Sequence, residues 1–100
     1  MSTILGEKDV EETKLVVFDF SSELESGETI STFTRSVVVL QGVDSSPDSV
    51  FSGAAVISGH EVLQRVTAGV EGVQYHFRGR AVGNTGLAHV VSGDMRVVRL

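Results

Sequence analysis

The 100-residue chain contains no cysteine and no tryptophan, one proline, two methionines and six aromatic residues. Without cysteine there is no disulfide staple and no thiol chemistry, so the usual framework of a small secreted domain is ruled out. With one proline, Pro47, backbone breaks must come from the eleven glycines and the Ser/Asp/Asn clusters. No apolar run approaches the roughly 18–20 residues a membrane-spanning helix needs. The first residues, Met1-Ser-Thr-Ile-Leu-Gly-Glu-Lys-Asp9, have neither the basic head nor the apolar stretch of a signal peptide, and synthesis in a cytoplasm is expected. One hundred residues make one domain, long enough to bury a modest core.

The charge is uneven. Of the formal net charge of −5, residues 1–30 carry eight acidic and two basic groups, and residues 31–100 carry five acidic and six basic groups. An acidic leading third opposes nucleic-acid binding, which calls for a clustered positive field. Residues 1–13 read as an acidic N-terminal arm with one apolar pair, Ile4-Leu5. It is either a solvated tail or a segment that docks on a partner. The domain proper is expected over residues 14–100.

Eighteen valines favour strands, because β-branched side chains pack well on a pleated surface. The best-patterned stretch is residues 72–92. Val73, Tyr75, Phe77, Gly79 and Ala81 alternate with Gln74, His76, Arg78 and Arg80, the period of two that marks a half-buried strand. Gly83-Asn-Thr-Gly86 interrupts the pattern and Leu87–Ser92 resumes it, which predicts a hairpin. A turn at Asn84-Thr85 would place Arg80 opposite His89. Lys14–Phe20 is a second clear strand, with Val16, Phe18 and Phe20 on one face. Thr29–Leu40, Val50–Ile57, Glu61–Thr67 and Asp94–Leu100 are further strand segments, and Ser92-Gly93 reads as a turn or bulge. Ser21–Glu28 and Gln41–Ser49 are loops. About seven strands with turn signals every 8–12 residues predict an all-β, antiparallel, immunoglobulin-like β-sandwich with Val16, Phe18, Phe20, Tyr75, Phe77 and Ala81 in its core. Tyr75, after the Gly69-Val-Glu-Gly72 corner, is placed to hydrogen-bond back to that corner's backbone.

No catalytic constellation emerges. The histidines lack metal-ligand spacing, the serines sit in turn-like runs without a nucleophile elbow, and the glycines lack a phosphate-binding pattern. No enzymatic activity, metal or cofactor is expected. Asp19 reads as a rim or capping carboxylate. Arg78 and Arg80 form a small basic stripe, either a solvated face or a protein-contact patch.

Lys8-Asp9, Phe18-Asp-Phe-Ser21, Ser26-Gly-Glu-Thr-Ile30 and Gly72-Val-Gln-Tyr75, the last leading into a glycine-containing hairpin, together resemble a family of short tailed-bacteriophage virion proteins known as fibre-tail adaptors. The likeness spans most of residues 8–99. It implies a non-enzymatic structural protein of the virion tail region that bridges tail or collar subunits to tail-fibre N-terminal segments, in several copies per particle. A capsid decoration or head-completion role is the alternative within that class. A ligand- or carbohydrate-binding sandwich in host attachment is the alternative outside it. The expected contacts are Ile4, Leu5, Arg78 and Arg80 together with strand edges.

Overall fold

The computed structural model describes residues 6–100. Seven strands form: β1 (Glu7–Asp9), β2 (Lys14–Asp19), β3 (Ile30–Gln41), β4 (Phe51–Ser58), β5 (Glu61–Val66), β6 (Gln74–Gly83) and β7 (Ala88–Val98). The described residues are all-β apart from one 3-10 turn at Pro47–Val50, which spans the end of the expected loop and takes in Val50, expected to open the next strand. A four-stranded sheet has the order β1-β7-β6-β3, and a three-stranded sheet the order β2-β5-β4.

The core is built by the alternating faces of both sheets. Val16 and Phe18 of β2 and Val62 and Val66 of β5 meet Tyr75, Phe77 and Ala81 of β6 and Val91, Met95 and Val97 of β7. All six predicted core residues are fully buried. Fully burying one such side chain contributes about 1.5–3 kcal/mol relative to leaving it in water. Gly79, on the same inward face, leaves room for rings: a Cβ there would lie 2.7 Å from Phe18 and 2.8 Å from Phe33.

The count of seven agrees with the sequence reading, but the set of strands differs. Ser92-Gly93 does not break the chain; β7 runs through it, with Ser92 opposite Arg78 and Gly93 opposite Phe77. The seventh strand is instead β1, inside the presumed arm. It pairs parallel with β7, Glu7 beside Arg96 and Asp9 beside Val98, and is the one departure from antiparallel pairing. Lys8 of β1 is fully buried, and its Nζ donates to the carbonyls of Asp9 at 2.8 Å and Ala68 at 2.7 Å. Residues 7–9 therefore belong to the sandwich, and the boundary at residue 13 falls beyond its first strand. Ile4 and Leu5 lie outside the described residues.

The β6–β7 hairpin corrects a register. Gly83 N–H donates to Leu87 O and Gly86 N–H donates to Gly83 O, so the loop is Asn84-Thr85-Gly86, with Gly86 at φ 88°. A three-residue loop closed by a left-handed glycine replaces the expected two-residue turn. The one-residue difference pairs Arg80 with Val90 and Ala81 with His89. A slip of one residue exchanges faces, so His89 turns inward.

Candidate protein-contact site

Outward side chains of β6 lie between those of β3 and β7. The register sets His76 between Val38 and Asp94, Arg78 between Ser36 and Ser92, and Arg80 between Thr34 and Val90. One acid, Asp94, lies directly beside the outward side chains of β6, and Glu7 of β1 lies beside Arg96 at the far edge of the same sheet. Asp94 lies 2.6 Å from His76 Nδ1 and accepts from Gln74 Nε2 at 3.2 Å. Arg96, opposite Gln74, reaches Gln41 Oε1 at 3.5 Å. Arg78 and Arg80 are exposed, and among the described residues neither guanidinium has a hydrogen-bond or ion-pair partner. Val38 and Val90, 52% and 40% exposed, add apolar area beside them. Two desolvable guanidiniums, each a fork of donors, and flanking valines suit an acidic protein surface.

Beside this face lies an open edge. β3 pairs only with β6, and β4 only with β5. A cleft of about 570 Å³ opens between the two edge strands, lined by Thr32, Phe33, Thr34, Ala54, Ala55 and Ile57. β4 is bulged between Ser52 and Val56. Gln64, fully buried on β5, satisfies the bulge: its Nε2 donates to Ser52 O at 3.3 Å and Gly53 O at 3.2 Å. Arg35 donates to Gly53 O at 2.7 Å and to Gln64 Oε1, and its guanidinium lies 4.5 Å from the Phe51 ring centre. These bonds pair the carbonyls of the β4 bulge inward and leave the β3 edge open.

Two polar clusters brace the ends of the sandwich, of which the sequence suggests only the Tyr75 corner contact. Buried Glu28 accepts from Glu25 N–H at 2.9 Å and from the Thr85 hydroxyl at 2.7 Å, with His89 Nε2 at 3.2 Å. The Glu25 N–H, then the Thr85 hydroxyl and His89, hold its carboxyl below the usual carboxylate range, against the opposing effect of burial. At the other end the Tyr75 hydroxyl accepts from Val70 N–H, the corner contact the sequence suggests. Burial, helped by Asp44, pushes its pKa up to about 12. Asp19 accepts from Ser21 N–H at 2.9 Å, as a capping carboxylate does. Among the described residues no group of three or more His, Asp or Glu side chains is arranged to hold a metal ion.

All six aromatic rings pack in or against the core: Phe18, Phe20, Tyr75 and Phe77 within it, Phe33 and Phe51 at its margin. No helix is long and apolar enough to cross a membrane among the described residues. No protein-family model, curated protein or solved structure matches the chain.

Proposed function

We propose that this chain is a structural, non-enzymatic protein of a tailed-bacteriophage particle: an immunoglobulin-like sandwich, present in several copies, that bridges tail components to a tail fibre. The strand order supports the fold assignment. The β2-β5-β4 and β7-β6-β3 arrangements correspond to the B-E-D and G-F-C sheets of immunoglobulin-like sandwiches. Tyr75, near the start of the sixth strand and bonded to Val70 five residues upstream, occupies the place of their corner tyrosine. The observation that carries the function is the β6 face, where Arg78 and Arg80 stand exposed and, among the described residues, without side-chain partners beside the free β3 edge. An acidic virion neighbour would pair with the two arginines, and an extended fibre segment would add to β3 through main-chain hydrogen bonds. The packing of all six rings in or against the core supports an assembly role over a sugar-stacking one.

The test is cross-linking mass spectrometry on purified particles. The proposal expects this chain in the tail fraction at fixed stoichiometry, with cross-links from the Arg78–Arg80 face or the β3 edge to a tail or fibre subunit. Cross-links to the major capsid protein would instead favour the decoration or head-completion role. Absence from particles would sink both.

A further inference from the structure

The outer face of the three-stranded sheet forms a three-by-three grid. Register sets Leu15, Arg65 and Ser52 in one row, Val17, Leu63 and Val56 in the next, and Asp19, Glu61 and Ser58 in the third. The middle row is wholly apolar. Val56 within it is 57% exposed, and Leu15, 50% exposed, extends the apolar area into the first row. Along central strand β5 the grid has a cation at one end and an anion at the other. Four residues separate them, roughly 14 Å at the strand rise. Arg65 and Glu61 are both exposed, and among the described residues neither side chain has a hydrogen-bond or ion-pair partner.

Of the two in-plane two-fold axes that follow the grid, along the rows or along the strands, one makes the pattern self-complementary. A two-fold axis lying between two such sheets and running along the apolar row brings Leu63 onto Leu63, Val17 onto Val17 and Val56 onto Val56. It also places each Arg65 over the partner's Glu61, with Asp19 alongside. An axis along the strands would set Arg65 on Arg65 and Glu61 on Glu61, which like-charge repulsion forbids. From this geometry we infer that the β2-β5-β4 face is a docking surface for a second copy of this chain, forming an isologous, face-to-face dimer with the two β5 strands antiparallel. The inference stands on the grid alone, wherever the protein works.

Magnitudes set its strength. Three strands about 4.8 Å apart and five residues long offer a face well below the roughly 800 Å² per partner of a standard stable interface. The dimer is therefore weak in dilute solution, with a dissociation constant on the order of 0.1–1 mM. It becomes effective where copies are held close together, because tethering raises the local concentration into that range.

Sedimentation equilibrium from micromolar to about 2 mM tests this, that limit being set by the expected affinity. The wild type should show a monomer–dimer equilibrium that weakens with salt, and its concentration-dependent amide shifts should cluster on Leu15, Val17, Val56 and Leu63. Arg65→Glu and Glu61→Arg should each weaken self-association at least tenfold. An equimolar mixture of the two variants should dimerise again, because every facing pair is then opposite in charge. All four residues of these pairs are on the exposed face, and native amide spectra report that each variant is folded. A monomer throughout, amide shifts elsewhere, or two variants that do not restore association when mixed would each overturn the inference.

Discussion

The Tyr75 hydroxyl donates to the Asp44 carboxylate across 2.7 Å, joining residues thirty-one positions apart. The same oxygen accepts from Val70 N–H at 2.9 Å, so one phenol ties the β3–β4 loop to the β5–β6 connection. Tyr75→Phe keeps the ring in the core but removes both the acceptor for Val70 N–H and the donor to the Asp44 carboxylate. Losing a neutral and a charge-assisted hydrogen bond costs roughly 1–3 kcal/mol, so denaturant melts should show a loss in that range with little change in slope.

The same tyrosine gives a pH signature. Its pKa is about 12 when folded, against about 10 unfolded. A proton held more tightly in the folded state stabilises it fully below about pH 10, and that contribution is lost as pH rises through the folded value. Tyr75 is the only tyrosine in the chain. The 295 nm absorbance of the native protein should therefore stay flat through pH 10–11, then rise near pH 12 or with unfolding. A titration centred near pH 10 in folded protein would contradict the buried hydroxyl.

Glu28 gives the opposite limb. Its folded pKa is depressed, first by the Glu25 N–H and then by Thr85 and His89. Its contribution is present above the unfolded value of about 4.3 and is lost as pH falls from there through the lower folded value. Glu28→Gln should flatten the acid side of the stability profile in that window. An unchanged acid limb would place the acid sensitivity elsewhere.

The space around Glu28 is fixed by Gly83, where a Cβ would collide with the Glu28 carboxylate. At Gly79 a Cβ would press on Phe18 and Phe33. Overpacking of this kind costs typically about 1–3 kcal/mol. Gly79→Ala and Gly83→Ala should both destabilise, whereas Gly6→Ala, with nothing within 4 Å, should not. In a double-mutant cycle, Gly83→Ala and Glu28→Ala should be clearly non-additive, because removing the carboxylate removes the obstacle.

Much of the fold is legible because β2 and β6 alternate cleanly: an inward Phe18 or Phe77 next to an outward Asp19 or Arg78 leaves one register for the core. Tyr75 is legible for a related reason, since a glycine corner and a following tyrosine lie close in sequence. What escapes is whatever depends on distant partners. Glu28 looks like one more loop acid until Thr85, fifty-seven residues on, is folded over it. Gln64 looks solvated until the β4 bulge offers it carbonyls. Glu7-Lys-Asp9 has no apolar signal at all, because β1 is held by backbone pairing and by a lysine whose stem is buried. The hairpin register turns on whether Gly86 belongs to the loop, which composition alone does not decide.

That hidden strand reverses an expectation about the N-terminal region. An acidic arm could be removed without harm to the sandwich, but deletion of residues 2–12 also removes β1. It takes away Gly6 O as acceptor for Arg96 N–H at 2.8 Å, the Val10 N–H bond to Val98 O at 2.9 Å, and the Lys8 tie to Ala68. It also bares β7 as a free edge, a template for pairing with other chains. The deletion should therefore lower the melting temperature and promote aggregation, and hydrogen exchange should accelerate first at Arg96 and in the Ala68–Val70 corner. Lys8→Ala isolates the buried tie. Burial lowers the ammonium's pKa, so the charge is held at a cost that its two carbonyl partners offset. Removing it should speed exchange at the same corner while leaving the β6–β7 hairpin protected. If the 2–12 deletion melts and exchanges like the full chain, β1 does not brace the sandwich and the segment is free to serve assembly alone.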